Sequence, residues 1–329
     1  MIESGVFLMV KFLSSHSNLI KEYIEYKRNL GYLFKVEYTF KLFDEFLNRN
    51  DIKDINLDKE TLKLWTKKRK NESNKTRYKR INDIRNYLLY LNGIGYYSYI
   101  PKQVKNYSSD FIPYIFSKKE INDFFVACDS IKSRNGIIST HIYPLLFRIL
   151  YGCGLRISEA LNIKINDINF DKNCILISNS KNGEQRLVPF DSSLEIIIKK
   201  YISSCRNTAR ESDYLFVKTD GSKCSSKTAY DWFRKILRKA NISHGGRGKG
   251  PRIHDFRHTF SVHTLIKMEK NNLDLYYSLP ILSKYLGHKS IEATEKYVRL
   301  TKNMYPEIIE NMNKLSPNIF PGGEYNEKN

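Results

Sequence analysis

Apolar residues along the first hundred positions recur at the three- and four-residue spacing of amphipathic helices. Leu19, Ile20, Tyr23 and Ile24 share one face, and Gly31 follows where such a helix can end. Phe40, Phe43 and Leu47 mark a second helix. Asp58 stands before Leu62 and Trp65 as the N-cap of a third. Ile81, Ile84, Leu88 and Leu91 stripe a fourth, with Gly93 placed to cap it. Residues 14–100 are therefore expected to form an all-helical domain.

Residues 101–117 contain two prolines and a polar cluster with no clear period, which reads as a linker. From Lys118 onward the pattern is mixed. Helices are expected at 118–130, 141–151, 157–163, 192–204, 226–240, 255–268 and 280–286. The stretch "CILISNSKNGEQRLVPF" holds two β-prone runs around Asn182-Gly183, the signature of a hairpin with a two-residue type I′ turn. The expected fold is mainly α with a small β-sheet or hairpin in a second domain spanning 118–316. The tail 317–329 is expected to be disordered.

Charge narrows the choice of partner. The chain of 329 residues suits two domains and carries 55 Lys and Arg against 35 Asp and Glu, a net charge of +20 that points to a polyanion. Ten basic residues and only two acidic ones lie between Lys63 and Arg85. Lys67, Lys68, Arg69, Lys70, Lys75, Arg77, Lys79 and Arg80 are candidates to track phosphates; the alternative is a solvated helix face. Five cysteines without a CxxC argue for free thiols in a reducing compartment. "GVFLMV" lacks the basic flank of a signal peptide, and no apolar run approaches a membrane span. A cytoplasmic protein with no membrane association is expected.

Five stretches carry candidate chemistry. In "RIHDFRHTF", His254, Arg257 and His258 fall on one helical face with only Asp255 nearby to balance them, so an anion is expected there. The i, i+4 histidines suggest zinc, but the Glu of HExxH is missing and a fixed cation sits between them. In "YGCGLRISEAL", Arg156 opens a helix. Either Glu159, three residues on, neutralises it, or an anion binds between the helix N-terminus and the guanidinium. Lys181 ends the first hairpin strand. "YLGHKSIEATEKY" places His288 nine residues before Tyr297. "HGGRGKGP" is not a P-loop, since Gly250 follows the GK. It reads as a basic loop in which Arg247 and Lys249 can meet DNA.

These residues suit attack on a DNA phosphodiester by a protein hydroxyl. Two guanidiniums can donate paired hydrogen bonds to the non-bridging oxygens and stabilise the extra charge of a pentacoordinate transition state. Tyrosine, with a free pKa of about 10, needs a base or a positive setting. The departing 5′-oxygen needs an acid, which a hairpin lysine can supply. No metal or other cofactor is required.

"GLRISEAL", a hairpin lysine, "HDFRH", "LGH" and a tyrosine nine residues after that His, in this order, resemble the tyrosine recombinase (phage integrase) family over roughly 118–300. Each motif alone is weak, and five in order are specific. The resemblance implies a two-domain C-shaped clamp around double-stranded DNA, with a helical core-binding domain followed by the catalytic domain. It implies that Arg156 and Arg257 clamp the phosphate and that Lys181 protonates the leaving 5′-oxygen. His254 would be the acid/base partner near the tyrosine, and His288 would hold the phosphate. Tyr297 would form a 3′-phosphotyrosyl link. Glu159 would support Arg156, and His258 would be a supporting or structural residue.

The family works as a homo-tetramer, or a mixed tetramer of related recombinases, without ATP. That implies a nucleoid-associated site-specific recombinase acting in integration or transposition. Two departures stand out: a long interval from His258 to His288, around "MEKNNLDLYYS", and no additional N-terminal arm-binding domain. "GGRGKGPRIHDFRHTFSVH" with "EKYVRLT" looks more like recombinases of transposons and related mobile elements. A type IB topoisomerase and a catalytically dead DNA-binding regulator are the alternatives. Beyond Tyr297, Ile308, Ile309, Met312 and Leu315 form one helical stripe, which packs on its own domain or, as in the family, on a neighbouring protomer.

Overall fold

The computed structural model describes residues 11–32, 34, 37–105, 112–131, 137–178, 185–218, 220–246, 249–288, 290–291, 294–295 and 297. The chain divides into two compact units, residues 1–111 and 112–329.

Among the described residues, the first unit holds four helices: α1 (Ser17–Asn29), α2 (Glu37–Arg49), α3 (Lys59–Thr66) and α4 (Asn74–Gly93). The expected stripes supply its core, with Ile20, Tyr23, Phe40, Phe43, Leu47, Leu62, Trp65, Ile84, Leu88 and Leu91 all buried. Asp58 caps α3 by accepting the Thr61 N–H at 2.7 Å. Gly31 follows α1 at φ +81°. The end of α4 differs from the expectation. Gly93 is its last helical residue, and Gly95, at φ +101°, takes the left-handed turn.

The second unit contains α5 (Lys118–Asp129), α6 (Ile137–Gly152), α7 (Ile157–Ala160), α8 (Ser192–Cys205), α9 (Ser226–Lys239), α10 (Asp255–Lys270) and α11 (Leu275–Leu286). Among the described residues its sheet has three antiparallel strands in the order β1 (Ile168–Asn169), β2 (Cys174–Ile177) and β3 (Arg186–Pro189). The fold is thus mainly helical with one small sheet, as the pattern predicts; β1 is too short to show a period.

Local differences have tertiary causes. Residues 112–117, read as linker, belong to the second unit. Phe116 is fully buried, stacks on Phe256 with centroids 5.2 Å apart, and donates its N–H to the Thr259 hydroxyl at 3.0 Å. α7 stops at Ala160 because the following residues pair with another segment: Leu215 N–H donates to Ile163 O and Ile165 N–H to Asp213 O. α11 begins five residues early, with Pro280 inside it. The long interval before His288 is taken up by the extended α10, a turn at Asn272 (φ +59°) and this longer α11.

The hairpin register also departs from the expectation. A two-residue turn on Asn182-Gly183 would set Ile177 opposite Val188. The sheet pairs Ile177 with Arg186 instead. An offset of two keeps every side chain on its face, so Ile175, Ile177 and Val188 still reach the core. The turn itself, Lys181 included, lies outside the described residues, as do Arg247, the 308–315 stripe and the tail. Among the described residues no helix is long and apolar enough to cross a membrane. All five cysteines are free.

Candidate active site

Glu159 is the hub of the site. Its carboxylate is fully buried, and Oε1 accepts from the Arg156 guanidinium at 2.7 Å. The Arg156 backbone N–H donates to Oε2 at 2.9 Å, closing the first turn of α7. Arg186, on β3, donates to Oε1 at 3.2 Å and Oε2 at 2.8 Å. Arg257 approaches Oε2 at 3.9 Å. Burial alone would raise the Glu159 carboxyl. Hydrogen bonds from Arg186 and Arg156, and the Arg186 charge, outweigh it and hold the pKa at about 2. The carboxylate is therefore charged at any pH at which the protein works.

The acid beside the arginine in sequence is not its counter-ion. Asp255 is buried and accepts the Arg252 N–H at 2.7 Å, and burial pushes its pKa up to about 6. The balancing acid comes from α7. Of the two readings of Arg156, neutralisation by Glu159 is realised. One carboxylate shared among three arginines still leaves the site net positive.

Arg257 is 1% exposed, donating to Gly154 O at 2.9 Å and Leu286 O at 2.6 Å. Burial, then repulsion from Arg156, lowers its pKa to about 10, which leaves it charged at neutral pH. Its contact with Gly154 needs that residue as it is. Gly154 sits at φ +59°, and a Cβ there would come 2.5 Å from the Phe260 ring. Phe256 points into the core, as expected, whereas Phe260 is only half-buried and stacks on Tyr285.

Tyr297 is 4% exposed and joins Val262, Leu265, Leu282 and Leu286 in a small apolar cluster. Its hydroxyl lies 2.9 Å from His258 Nδ1. The imidazole on the tyrosine is thus His258 rather than His254. α10 begins at Asp255, which leaves His254 at the exposed N-cap, its ring edge-on to His258 at 4.8 Å. That edge-on packing, with His258 Nδ1 used on Tyr297, does not offer two nitrogens to one metal ion. Burial, then repulsion from His254 and Arg257, depresses His258 to a pKa of about 3, so it is neutral and its Nδ1 can accept. Burial raises the Tyr297 phenol, opposed by Arg257, a hydrogen bond with Ser261, and Arg156.

His288 follows Gly287, which turns the chain at φ +66° after α11. Its Nδ1 lies 2.8 Å from the Thr294 hydroxyl, and its ring stacks on Tyr297 at 6.3 Å. Burial, then the Arg257 and Arg156 charges, lowers its pKa to about 4. In the tautomer in which the Thr294 hydroxyl donates to Nδ1, Nε2 carries the proton and can donate to an anion. The structure therefore gathers Arg156, Glu159, Arg257, His258, His288 and Tyr297, with His254 beside them. Arg186 joins them without any catalytic motif to mark it; its one trace in the sequence is a cation in register with Val188 and Phe190, the positions of that run that reach the core.

The basic run of the first unit separates into two sets. Lys67, Lys68, Arg69, Lys70, Lys75 and Lys79 are exposed, with Arg69 over the Trp65 ring at 4.7 Å. Arg80 is a correction to the phosphate-tracking set. It is 4% exposed, pairs with Glu72 at 2.8 Å, and donates to Trp65 O and to Lys67 O, the latter at 3.2 Å. Arg77 donates to Thr66 O at 3.0 Å. These carbonyls at the C-terminus of α3 have no partner within their own helix, so the two arginines of α4 serve as its cap. In the second unit Lys249 is exposed and lines a cavity of about 550 Å³ with Tyr114, Glu120 and Asn241.

A family model described as the phage integrase family matches residues 115–304. A putative integrase/recombinase, y4rB of Sinorhizobium fredii, is 27% identical over 317 residues, covering 92% of this chain and 98% of that one. The tyrosine recombinase XerA of Pyrococcus furiosus is 34% identical over 183 residues, 55% of this chain. That alignment takes in 57% of XerA, little more than half its length. Among solved structures, the Tn1549 transposon integrase in complex with circular intermediate DNA has a TM-score of 0.62 at 18% identity, covering 85% of this chain and 94% of that one. XerH bound to palindromic difH in a post-cleavage complex has a TM-score of 0.61 at 22% identity, covering 84% and 77%. At these identities the structural matches establish a shared fold.

Proposed function

The chain belongs to the phage integrase family of tyrosine recombinases, and on that premise we propose how its residues break and rejoin double-stranded DNA as a site-specific recombinase. The observation that carries the reading is the hydroxyl of Tyr297, hydrogen-bonded to a neutral imidazole beside two guanidiniums that share one buried carboxylate.

The scissile phosphate sits against Arg156 and Arg257, with His288 donating from Nε2. Glu159 keeps the arginines from repelling one another and orients them, so their remaining N–H groups meet the charge that develops in the transition state. Tyr297 Oη attacks phosphorus, and its proton passes to His258 Nδ1. His254, next to His258, is placed to exchange that proton with solvent. The bond to the 5′-oxygen breaks as Lys181 protonates it, leaving a 3′-phosphotyrosyl enzyme. A 5′-hydroxyl from the partner strand reverses each step. Bond energy is conserved in the phosphotyrosine, so no nucleotide hydrolysis is needed.

The first unit, with its helices between Ser17 and Gly93, serves as the core-binding domain, its exposed lysines on the DNA backbone, and the second unit, from residue 112, serves as the catalytic domain. Two duplexes and four protomers complete the assembly, in the cytoplasm at the nucleoid. The test uses a suicide substrate built from the ends of the encoding element, resolved on a denaturing gel. The native protein forms a covalent protein–DNA band. Tyr297→Phe binds the DNA and forms none. A band from the Phe variant would remove Tyr297 from the nucleophile's role.

A further inference from the structure

Arg186 lies outside every motif, yet its guanidinium joins three separate parts of the site. We propose that it is a positioning residue: it locks the return strand of the hairpin to the phosphate-binding half of the active site. This rests on the reaction proposed above.

Each of its three guanidinium nitrogens makes a hydrogen bond within the site. Nε donates to Tyr285 O at 2.9 Å, and the two terminal nitrogens take both oxygens of Glu159. The side chain is 11% exposed, so it is an internal clasp. Only an arginine has the planar fork that can serve a carboxylate and a carbonyl together.

The first consequence is electrostatic. Without Arg186, the Glu159 carboxylate would have only Arg156 and Arg257 to offset its burial. It would draw those guanidiniums toward itself and away from an incoming phosphate. The second consequence is geometric. Arg186 and Arg257 hold consecutive carbonyls, of Tyr285 and Leu286, at the end of α11. The next residues are Gly287 and His288. A Cβ on Gly287 would come 3.2 Å from an Arg186 nitrogen, so the glycine leaves room for the clasp as well as making the turn. The third is mechanical. Arg186 pairs with Ile177 where the two strands meet the intervening segment, which in sequence contains Lys181. One side chain thus links the strand leading from the leaving-group acid, the arginine clamp and the turn that presents His288.

The experiment compares native protein, Arg186→Met and Arg186→Lys. It measures single-turnover cleavage of the suicide substrate between about pH 3 and pH 8, half-site affinity by gel shift, and melting as the folding control. Adduct formation by the native protein establishes the reaction itself, so its absence would count against that reading and not against this one. Half-site binding should stay near native in both variants. Cleavage by the Met variant should fall about a hundredfold, the cost of a clamp displaced by an ångström or so. Its acid limb should also move up by about one to three pH units as Glu159 loses its principal counter-charge. The Lys variant keeps the charge and should keep the native acid limb, while cleaving more slowly because it cannot also hold Tyr285 O. Native-rate cleavage by either folded variant would overturn the proposal. So would a loss of half-site binding matching the loss of cleavage, which would make Arg186 a DNA contact. If the Met variant does not fold, the Lys variant decides; if neither folds, Arg186 serves stability alone and the proposal fails.

Discussion

Replacing Glu159 by Gln keeps the shape of the site and removes the one charge that three arginines share. A carboxyl lowered from 4.5 in the unfolded chain to about 2 in the folded one favours folding by about 3 kcal/mol at neutral pH. Removing one member of a buried ion pair typically costs about 3–5 kcal/mol, which agrees in size. The folded pKa lies below the unfolded one, so this stabilisation is complete above about pH 4.5 and disappears as the pH falls through about 2. At pH 3 about half of it remains. The measurement is urea denaturation of native and Glu159→Gln protein, both carrying Trp65→Phe. The chain's other tryptophan, Trp232, then reports the second unit alone. The gap between the two proteins should be about 3 kcal/mol at pH 7.5 and about half that at pH 3. A gap under about 1 kcal/mol at pH 7.5, or one that ignores pH, would refute the shared-carboxylate account.

Lys181→Ala should cleave ordinary DNA very slowly and recover on a 5′-bridging phosphorothioate, whose thiolate leaves without an acid; equal impairment on both substrates would rule out leaving-group protonation. Changing Lys67, Lys68, Arg69 and Lys70 together to Ala should weaken specific and random DNA alike. The slope of log K against log salt should flatten by about one unit for each phosphate that is no longer neutralised. Arg80→Ala should instead destabilise the first unit by about 3 kcal/mol, with the salt slope unchanged in the folded fraction, because it orphans buried Glu72. A changed slope there would return Arg80 to the DNA-facing set.

The sequence by itself determined the helical stripes of the first unit, most helix boundaries in the second unit, and the residue types of a phosphate-transferring tyrosine site. Those are local or periodic properties: a repeat of 3.6 residues shows which face is buried, and Arg156 with Glu159 is one helical turn. It could not say which imidazole meets Tyr297. His254 and His258 share a face, and the choice depends on α10 starting at Asp255 and on where the chain after α11 returns. Nor could it separate Arg80 from its lysine neighbours, because a buried arginine differs from an exposed one only in whether another helix offers carbonyls and a carboxylate. Arg186 was invisible for the same reason. Its partners lie 27 and 99 positions away, and a pairing at that distance along the chain leaves no period and no spacing to read. The charge balance of the site follows suit. The acid beside Arg257 in sequence is buried elsewhere, and the acid that neutralises it arrives from α7, a pairing that exists only once the second unit has closed around its core.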